Sequence, residues 1–391
     1  MEGDFIKIND WLLPLSWIYG AGVRLRNQMF EMGMLKSRSF DIPVISVGNI
    51  TVGGSGKTPH VEYLINLLRD KVKVAVLSRG YKRKSKGYML ATADTPMSDI
   101  GDEPYQMKKK FADIYVAVDK NRCHGIDQLT ANEETSDTDV ILLDDAYQHR
   151  YVKPGVNILL VDYHRLIMYD KLLPAGRLRE PKKGKARADI VIVSKCPADL
   201  KPMEFRVITK AMNLFPYQKL YFTTLKYGCL RPIYGGEDRK LDTLTGDTSI
   251  LLLTGIASPQ QMIVDLKPYT ERIIPLTFPD HHQYTDADID RINAEFEAMK
   301  GNDKMIVTTE KDNARLCGME GLSDEVKKNI YVLPVEVGFM LDQEEDFNEN
   351  IIGYVRKNSR NSILAKAKDD NKSDNSDNSG NRTRTISFRN N

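Results

Sequence analysis

Short apolar runs recur through the first two-thirds of the chain, separated by segments of helical spacing. Residues 42–47 form such a run, closed by Gly48, and 58–69 carry the 3–4 residue spacing of a helix. Residues 72–77 predict the next strand, 102–111 a helix and 114–118 a strand. Three more apolar runs lie at 140–143, 158–161 and 190–193. Strands that are apolar on both faces and alternate with helices predict a parallel sheet covered on both sides. The pattern changes near Leu220. Residues 220–225 and 230–234 predict two strands paired around Gly228, a hairpin connector followed by the turn Gly235-Gly236. A second alternating series then begins. Strands are predicted at 250–253, 273–276, 305–308 and 330–335, with helices from Pro259, Asp286 and Lys311.

These patterns divide the chain into an N-terminal helix (1–38), a core (39–217), a two-stranded linker (218–245) and a smaller α/β domain (246–357). Residues 358–391 are rich in Asn, Ser, Asp and Lys and nearly free of large apolar side chains, so a disordered tail is expected. No internal repeat is visible. Near the start, residues 11–23 are uncharged, but 13 residues are too few to cross a bilayer, which takes about 20. As a helix, Trp11, Leu15, Ile18, Gly22, Leu25, Met29 and Met32 fall on one stripe. Arg24, Arg26, Lys36 and Arg38 follow. Two arrangements suit this segment: a helix lying in a membrane interface, or one docked on the protein's own core.

Composition narrows the choice of partners. The 391 residues carry a net charge of +2, so there is no general attraction for nucleic acid, and anions must be bound by local clusters. Cys123, Cys196, Cys229 and Cys317 are widely spaced without a C-x-x-C pair, the pattern of reduced thiols rather than a disulfide framework or zinc site. No basic n-region precedes an apolar block, so no secretory signal is read.

The chemistry concentrates in a few segments. The run 42–47 leads into GNITVGGSGKT and a helix. Its core, Gly53-Gly54-Ser55-Gly56-Lys57-Thr58, is the closing half of a Walker A motif. Glycines let backbone N–H groups, including those of Thr51 and Val52, curl around phosphate oxygens, and the helix presents its positive end. Lys57 can bridge β- and γ-phosphates, and the Thr58 hydroxyl suits Mg²⁺. Thr51 stands where the motif's first glycine is expected. The run 140–143 delivers Asp144 and Asp145 at a strand's carboxyl end, where a doubly wound sheet binds its ligand. A carboxylate there can hold Mg²⁺; the sequence does not say which of the two does. Asp102 and Glu103 open a helix, either as dipole-suited capping residues or with a carboxylate serving as general base. His281 and His282 are adjacent, so on a strand they point apart and do not share a metal; one can orient a base, or both lie in a solvated loop. The clusters around Arg79–Lys84 and 177–187 are either solvated or bind phosphate and lipid headgroups.

Together these segments resemble the tetraacyldisaccharide 4′-kinase family. The likeness is carried by PVISVGNITVGGSGKTP, LSRGYKRK, GDEPYQMKKKF, DVILLDDAYQHR, LLPAGRLREP, VIVSKCP, LTGIASP, FPDHHQYT and VTTEKDNARL, in the family's order from about residue 40 to 315. The Thr51 departure is the family's own habit. The resemblance implies a P-loop NTPase core with a mostly parallel sheet, a two-stranded linker and a second smaller α/β domain. It implies ATP, Mg²⁺ and a lipid acceptor, tetraacyldisaccharide 1-phosphate, phosphorylated at its 4′-hydroxyl. It implies peripheral seating on the cytoplasmic face of the bacterial inner membrane through the N-terminal helix, with no nucleic acid and no obligate protein partner. By residue, Asp102 would be the base and His281 its partner. Thr58, Glu103, Asp144 and Asp145 would surround Mg²⁺. Gln148 would line the nucleotide, and Tyr81, Arg122, His149 and Arg179 the acceptor. The tail after Lys357 has no counterpart in the pattern.

Two other readings share parts of this sequence. A GTP-hydrolysing metal-insertion chaperone would keep the loop and sheet, but Ser194-Lys195-Cys196-Pro197 has Pro where guanine selection needs Asp, and no His/Cys-rich tract is present. A membrane-peripheral ATP-binding scaffold would need neither Asp102 nor His281.

Overall fold

The computed structural model describes residues 8–256, 259–280, 282–301, 303–316 and 319–358. His281, Cys317 and the stretch 359–391 read above as a tail lie outside them. In chain order the strands are β1 (Val44–Gly48), β2 (Val74–Ser78), β3 (Met89–Leu90), β4 (Tyr115–Val118), β5 (Val140–Asp144), β6 (Val156–Asp162) and β7 (Ile190–Ser194). They continue as β8 (Lys219–Tyr227), β9 (Arg231–Pro232), β10 (Ser249–Thr254), β11 (Ile273–Thr277), β12 (Lys304–Thr309), β13 (Ile330–Leu333) and β14 (Val335–Phe339).

Two sheets form. The larger runs β14-β8-β7-β6-β1-β5-β2-β4-β3 and the smaller β11-β10-β12-β13-β9. The centre of the large sheet, β8 to β4, is parallel, and both of its edges, β14 and β3, are antiparallel. Its central strands β1, β2, β5 and β7 are buried at every position, as expected where helices cover both faces. The helix Lys57–Leu68 explains one covered face. Val61, Leu64, Ile65 and Leu68 return every three or four residues and pack into the cluster that holds Ile45, Val47 and Val76. Each such side chain stabilises by roughly 1.5–3 kcal/mol.

Three features differ from the sequence expectation. The segments 220–225 and 230–234 do not pair with one another. β8 adds to β7 in parallel and to β14 antiparallel, whereas β9 adds to β13 in the small sheet. The single strand expected at 330–335 is two strands. Pro334 lacks an N–H and ends β13, and β14 then crosses to the other sheet, with Gly228 N donating to Pro334 O at 3.0 Å. The crossing is therefore made by β8 and β14. Finally, the helix Glu344–Asn358 returns to the first core: Phe347, Ile351 and Val355 join the cluster of Ile45 and Val76. By packing, the smaller unit stops near residue 333 rather than 357.

The N-terminal helix Leu13–Glu31 buries only Ser16, Gly20 and Phe30. Ser16 Oγ donates to Leu172 O at 3.0 Å and accepts from Ala175 N at 3.0 Å. A Cβ at Gly20 would meet Leu172 Cδ1 at 2.7 Å, so glycine permits the approach. The stripe predicted from the sequence faces away from the protein: Trp11, Ile18 and Met32 are 93, 71 and 65 % exposed. No helix among the described residues is long and apolar enough to cross a membrane.

Candidate active site

The carboxyl end of β1 opens into the loop 49–56. Two glycines bear the turn: Gly53 and Gly56 have φ of 117° and 78°, in the region where only glycine is unstrained. Gly56 directly precedes the helix Lys57–Leu68, so that helix points its positive end at the loop. The loop is braced from several sides. Asn49 Nδ2 donates to Ser55 Oγ at 2.7 Å, and Ser194 Oγ donates to Ser55 O at 2.9 Å. Val52 N donates to Arg177 O at 2.8 Å, and Thr51 bridges Leu178. Lys195, leaving β7, donates to Gly54 O and pairs with Asp162 at 3.0 Å.

The carboxyl end of β5 supplies Asp144 and Asp145. Asp145 lies 3.7 Å from Lys57 Nζ and 3.3 Å from Arg179 Nη1. Burial pushes its carboxyl up, but Lys57 and Arg179 outweigh that and hold it below the usual range. Asp144 is pushed up to about 7, first by burial and then by Glu103 and Asp145. Ser78 Oγ donates to its Oδ2 at 3.3 Å, while Oδ1 is buried with no partner. A buried carboxylate oxygen left unpaired is costly unless a cation or donor meets it.

The helix Asp102–Lys110 brings two more carboxylates. Glu103 Oε1 accepts from Thr58 Oγ1 at 3.5 Å and lies 2.5 Å from Lys311 Nζ. Burial works against ionisation of Glu103, yet Lys311 and Lys57 bring its carboxyl below the ordinary value. Asp102 pairs with Arg315 at 2.6 Å. Gly101, with φ of 91°, precedes them, and a Cβ there would meet Tyr81 O at 2.9 Å.

Part of this group borders a cavity of about 780 Å³, while Thr58, Asp102, Asp144 and Arg315 stand behind its lining. Its lining includes Gly53, Lys57, Glu103, Asp145, Arg179 and Lys311, and one wall is the N-terminal helix through Tyr19, Val23, Arg26 and Asn27. Tyr81 and Gln148 also face it. Gln148 donates through Nε2 to Asn49 O and accepts from Arg179 at 3.5 Å.

The cavity does not collect every residue predicted from the sequence. Arg122 is buried behind it, where Nη2 donates to Asp144 O at 3.2 Å and braces the end of β5. His149 borders a separate cavity of about 330 Å³ with Ser46 and Asn157. Its pKa is lowered to about 4 by burial and by the charges of Arg122, Arg26 and Arg79. Thr58, Glu103, Asp144 and Asp145 do not close into a cage of metal ligands, and no cluster of three or more His, Cys, Asp or Glu able to hold a metal occurs among the described residues. An open set still fits Mg²⁺, which takes one or two carboxylates and fills its octahedron with water and phosphate oxygens. The orphaned Asp144 Oδ1 is the atom that most requires such a partner.

Several site residues carried no role in the sequence analysis. Lys311 and Arg315 come from the helix Glu310–Leu316 of the smaller unit, Lys195 from the end of β7, and Glu180 and Asp280 from loops. Lys311 and Arg315, one helical turn apart directly after β12, are the pair whose spacing was a usable signal.

Comparison with known proteins follows this geometry. The family model for tetraacyldisaccharide-1-P 4′-kinase matches residues 8–356. A tetraacyldisaccharide 4′-kinase of Phocaeicola vulgatus is 61 % identical over 363 residues, 93 % of this chain and 99 % of that one. One from Bacteroides thetaiotaomicron is 54 % identical, covering 93 % and 98 %. A crystal structure of LpxK from Aquifex aeolicus in complex with ATP superposes with a TM-score of 0.66 at 31 % identity, over 88 % of this chain and 98 % of the other.

Proposed function

The chain belongs to the tetraacyldisaccharide-1-P 4′-kinase family, and from that premise we propose how its own residues carry the reaction. It is a P-loop kinase that uses ATP to phosphorylate the 4′-hydroxyl of a tetraacyldisaccharide 1-phosphate, a lipid A precursor. The metal-chaperone and scaffold readings fall away with that membership.

In the loop from Thr51 to Gly56, the amides of Gly53, Gly54 and Gly56 cradle the phosphates, Val52 and Ser55 hold the loop's shape through their bonds to Arg177 O and Gly53 O, and Lys57 reaches the terminal phosphates. Gln148, tied to Asn49, supports the nucleotide side. Mg²⁺, when bound, neutralises charge that develops on the phosphate oxygens. Thr58, Asp144, Glu103 and Asp145 are the residues that would hold it. Asp102 accepts the proton of the attacking hydroxyl, a role worth about 10²–10⁴ in rate, and His281 is its assigned partner. Tyr81 and Arg179 meet the acceptor where they line the cavity, with Arg122 and His149 behind them. Transfer is direct and in line, and it rests on positioning and electrostatics rather than on a phosphorylated protein intermediate. The kinase core takes residues 39–217 together with β8 and the returning strand and helix of 335–358, and the smaller domain spans the β9–β13 sheet.

One observation carries the lipid reading. The helix that walls the phosphate cavity turns an apolar side outward: Trp17 and Ile18 are 70 and 71 % exposed, and Trp11, just before it, 93 %. Half-burying three such side chains in lipid gives of order 3 kcal/mol, about a hundredfold in partitioning. Arg24 beside Trp17 suits anionic headgroups. The helix therefore seats the protein peripherally, on the cytoplasmic face of the inner membrane where ATP is available, and brings the acceptor's headgroup to the cavity. The test is a double substitution, Trp17→Ser with Ile18→Ser. Binding to phosphatidylglycerol vesicles falls at least tenfold and the KM for lipid rises, with the KM for ATP unchanged. Undiminished vesicle binding defeats the seating. Mass spectrometry of the product must show one added phosphate on the distal sugar.

A further inference from the structure

The helix Glu310–Leu316 of the smaller domain leaves β12 and packs against the helix Asp102–Lys110, which bears the catalytic carboxylates. Three ion pairs join the two helices. Lys311 meets Glu103 at 2.5 Å, Arg315 meets Asp102 at 2.6 Å, and Glu310 meets Lys110 at 2.7 Å. Lys311 and Arg315 are four residues apart, so they share one face of their helix and meet two consecutive carboxylates.

Arg315 differs from an ordinary surface cation. Its side chain is 2 % exposed. Nη1 donates to Gly255 O at 2.9 Å and to Asp312 Oδ1 at 3.0 Å. Asp312 is itself fixed, because its Oδ2 accepts from Gly255 N at 3.0 Å and from Thr309 Oγ1 at 2.7 Å. One arm of the guanidinium is thus anchored at the carboxyl edge of the small sheet. The other arm, Nη2, crosses to Asp102 Oδ2. On its far side Asp102 Oδ1 accepts from Glu103 N at 3.1 Å, so the carboxylate is clamped at both oxygens. A planar fork with several fixed donors suits such a clamp, whereas an ammonium supplies only a point charge.

We propose that Arg315 is a positioning residue of the transfer reaction: anchored in the smaller domain, its guanidinium sets the orientation of Asp102 beside the P-loop, so the base is aligned only when the two domains are seated together. The proposal rests on the reading of Asp102 as the base. Misplacing a reacting group by about 1 Å is enough to lose roughly 10² in rate. That is the size of effect the clamp controls.

The experiment compares Arg315→Met, Arg315→Lys, Arg315→Ala and Asp102→Asn in a labelled-ATP assay with the lipid acceptor in micelles. Arg315→Met is expected to lower kcat by about 10² while both KM values stay within about twofold, the signature of misalignment. Arg315→Lys recovers part of that loss, and guanidinium added at tens of millimolar restores part of the kcat of Arg315→Ala but none of Asp102→Asn. The proposal is overturned if Arg315→Met keeps kcat within about threefold of the parent while Asp102→Asn is inactive. It is also overturned if the loss tracks a fallen Tm and a raised KM for ATP with no guanidinium rescue, which makes Arg315 a structural tie. Near-normal turnover of Asp102→Asn instead defeats the base reading itself.

Discussion

The two sheets present their carboxyl edges to the same cavity and contribute to it in different ways. The large sheet's edge delivers a loop, in which two left-handed glycines and a helix start shape an anion cradle within a few consecutive residues. The small sheet's edge has no such loop at β12. That strand passes directly into the helix Glu310–Leu316 and sends Lys311 and Arg315 across to carboxylates of the other unit. Both edges supply positive charge. On the first, Lys57 is placed by the chain that bears it; on the second, the cations are placed by how two domains seat. The difference teaches that an α/β edge gains its chemistry from local backbone or from domain packing, and only the first kind leaves a contiguous motif.

If that contrast holds, removing the locally placed cation does the most damage. Lys57→Met is expected to lower kcat about 10³-fold or more, since it deletes charge from the terminal phosphates as the transition state forms. Retained product formation, followed by thin-layer chromatography of labelled lipid, removes the phosphate-grip reading altogether. Lys311→Met should come next, at about 10–10² in kcat. It leaves Glu103 partly buried with Lys57 as its remaining cation of note, and it leaves the loop intact. The expected signature is a nearly unchanged affinity for an ATP analogue, measured by calorimetry. A loss of binding as large as that of Lys57→Met erases the distinction between the two edges.

The same contrast explains what the sequence disclosed. The turn at 53–58 and the strand end at Asp144-Asp145 were legible because each is a run of adjacent residues with a fixed geometric need. The parallel centre of the large sheet was legible because β1, β5 and β7 are mostly apolar runs with no polar alternation. Pairings between distant segments were not. Nothing local distinguishes β8 paired with β14 from β8 paired with its successor, and only Pro334 hints that 330–335 is two strands. The helix Glu344–Asn358 shows an amphipathic pattern but not which core receives Phe347, Ile351 and Val355. The N-terminal stripe was visible, yet an apolar stripe alone does not say whether protein or lipid covers it. Exposure of Trp11 and Ile18 shows that the protein's own core does not cover it. Arg122 and His149 sit in charged, motif-rich segments, but side-chain direction put one behind β5 and the other in a second cavity.

The smallest predicted effect asks how local the local edge is. His60 lies one turn into the helix Lys57–Leu68 and is fully buried. Its Nδ1 is 2.7 Å from Gly56 O, and its Nε2 is 3.1 Å from Thr223 Oγ1 on β8. A carbonyl only accepts, so Nδ1 carries the hydrogen and Nε2 accepts from Thr223. The phosphate loop thus leans on the strand that crosses between domains. Burial, opposed by the Gly56 bond and aided by Lys195, lowers the His60 pKa to about 4. Above pH ~6.5, the unfolded value, neither state binds the proton and His60 adds no pH dependence. As pH falls from there to about 4, the unfolded chain takes the proton and the folded one does not. Stability of order 3 kcal/mol is withdrawn over that window. His60→Asn keeps a donor for Gly56, loses the Thr223 tie and cannot titrate. At pH 7 the variant should be less stable by about 1 kcal/mol, with only a few-fold rise in the KM for ATP. Between pH 6.5 and 4.5 its urea midpoint should fall less steeply than the parent's, so that the two curves converge. Curves that stay parallel across that window mean the imidazole is not held neutral by its surroundings, and that the loop owes nothing to β8 through this residue.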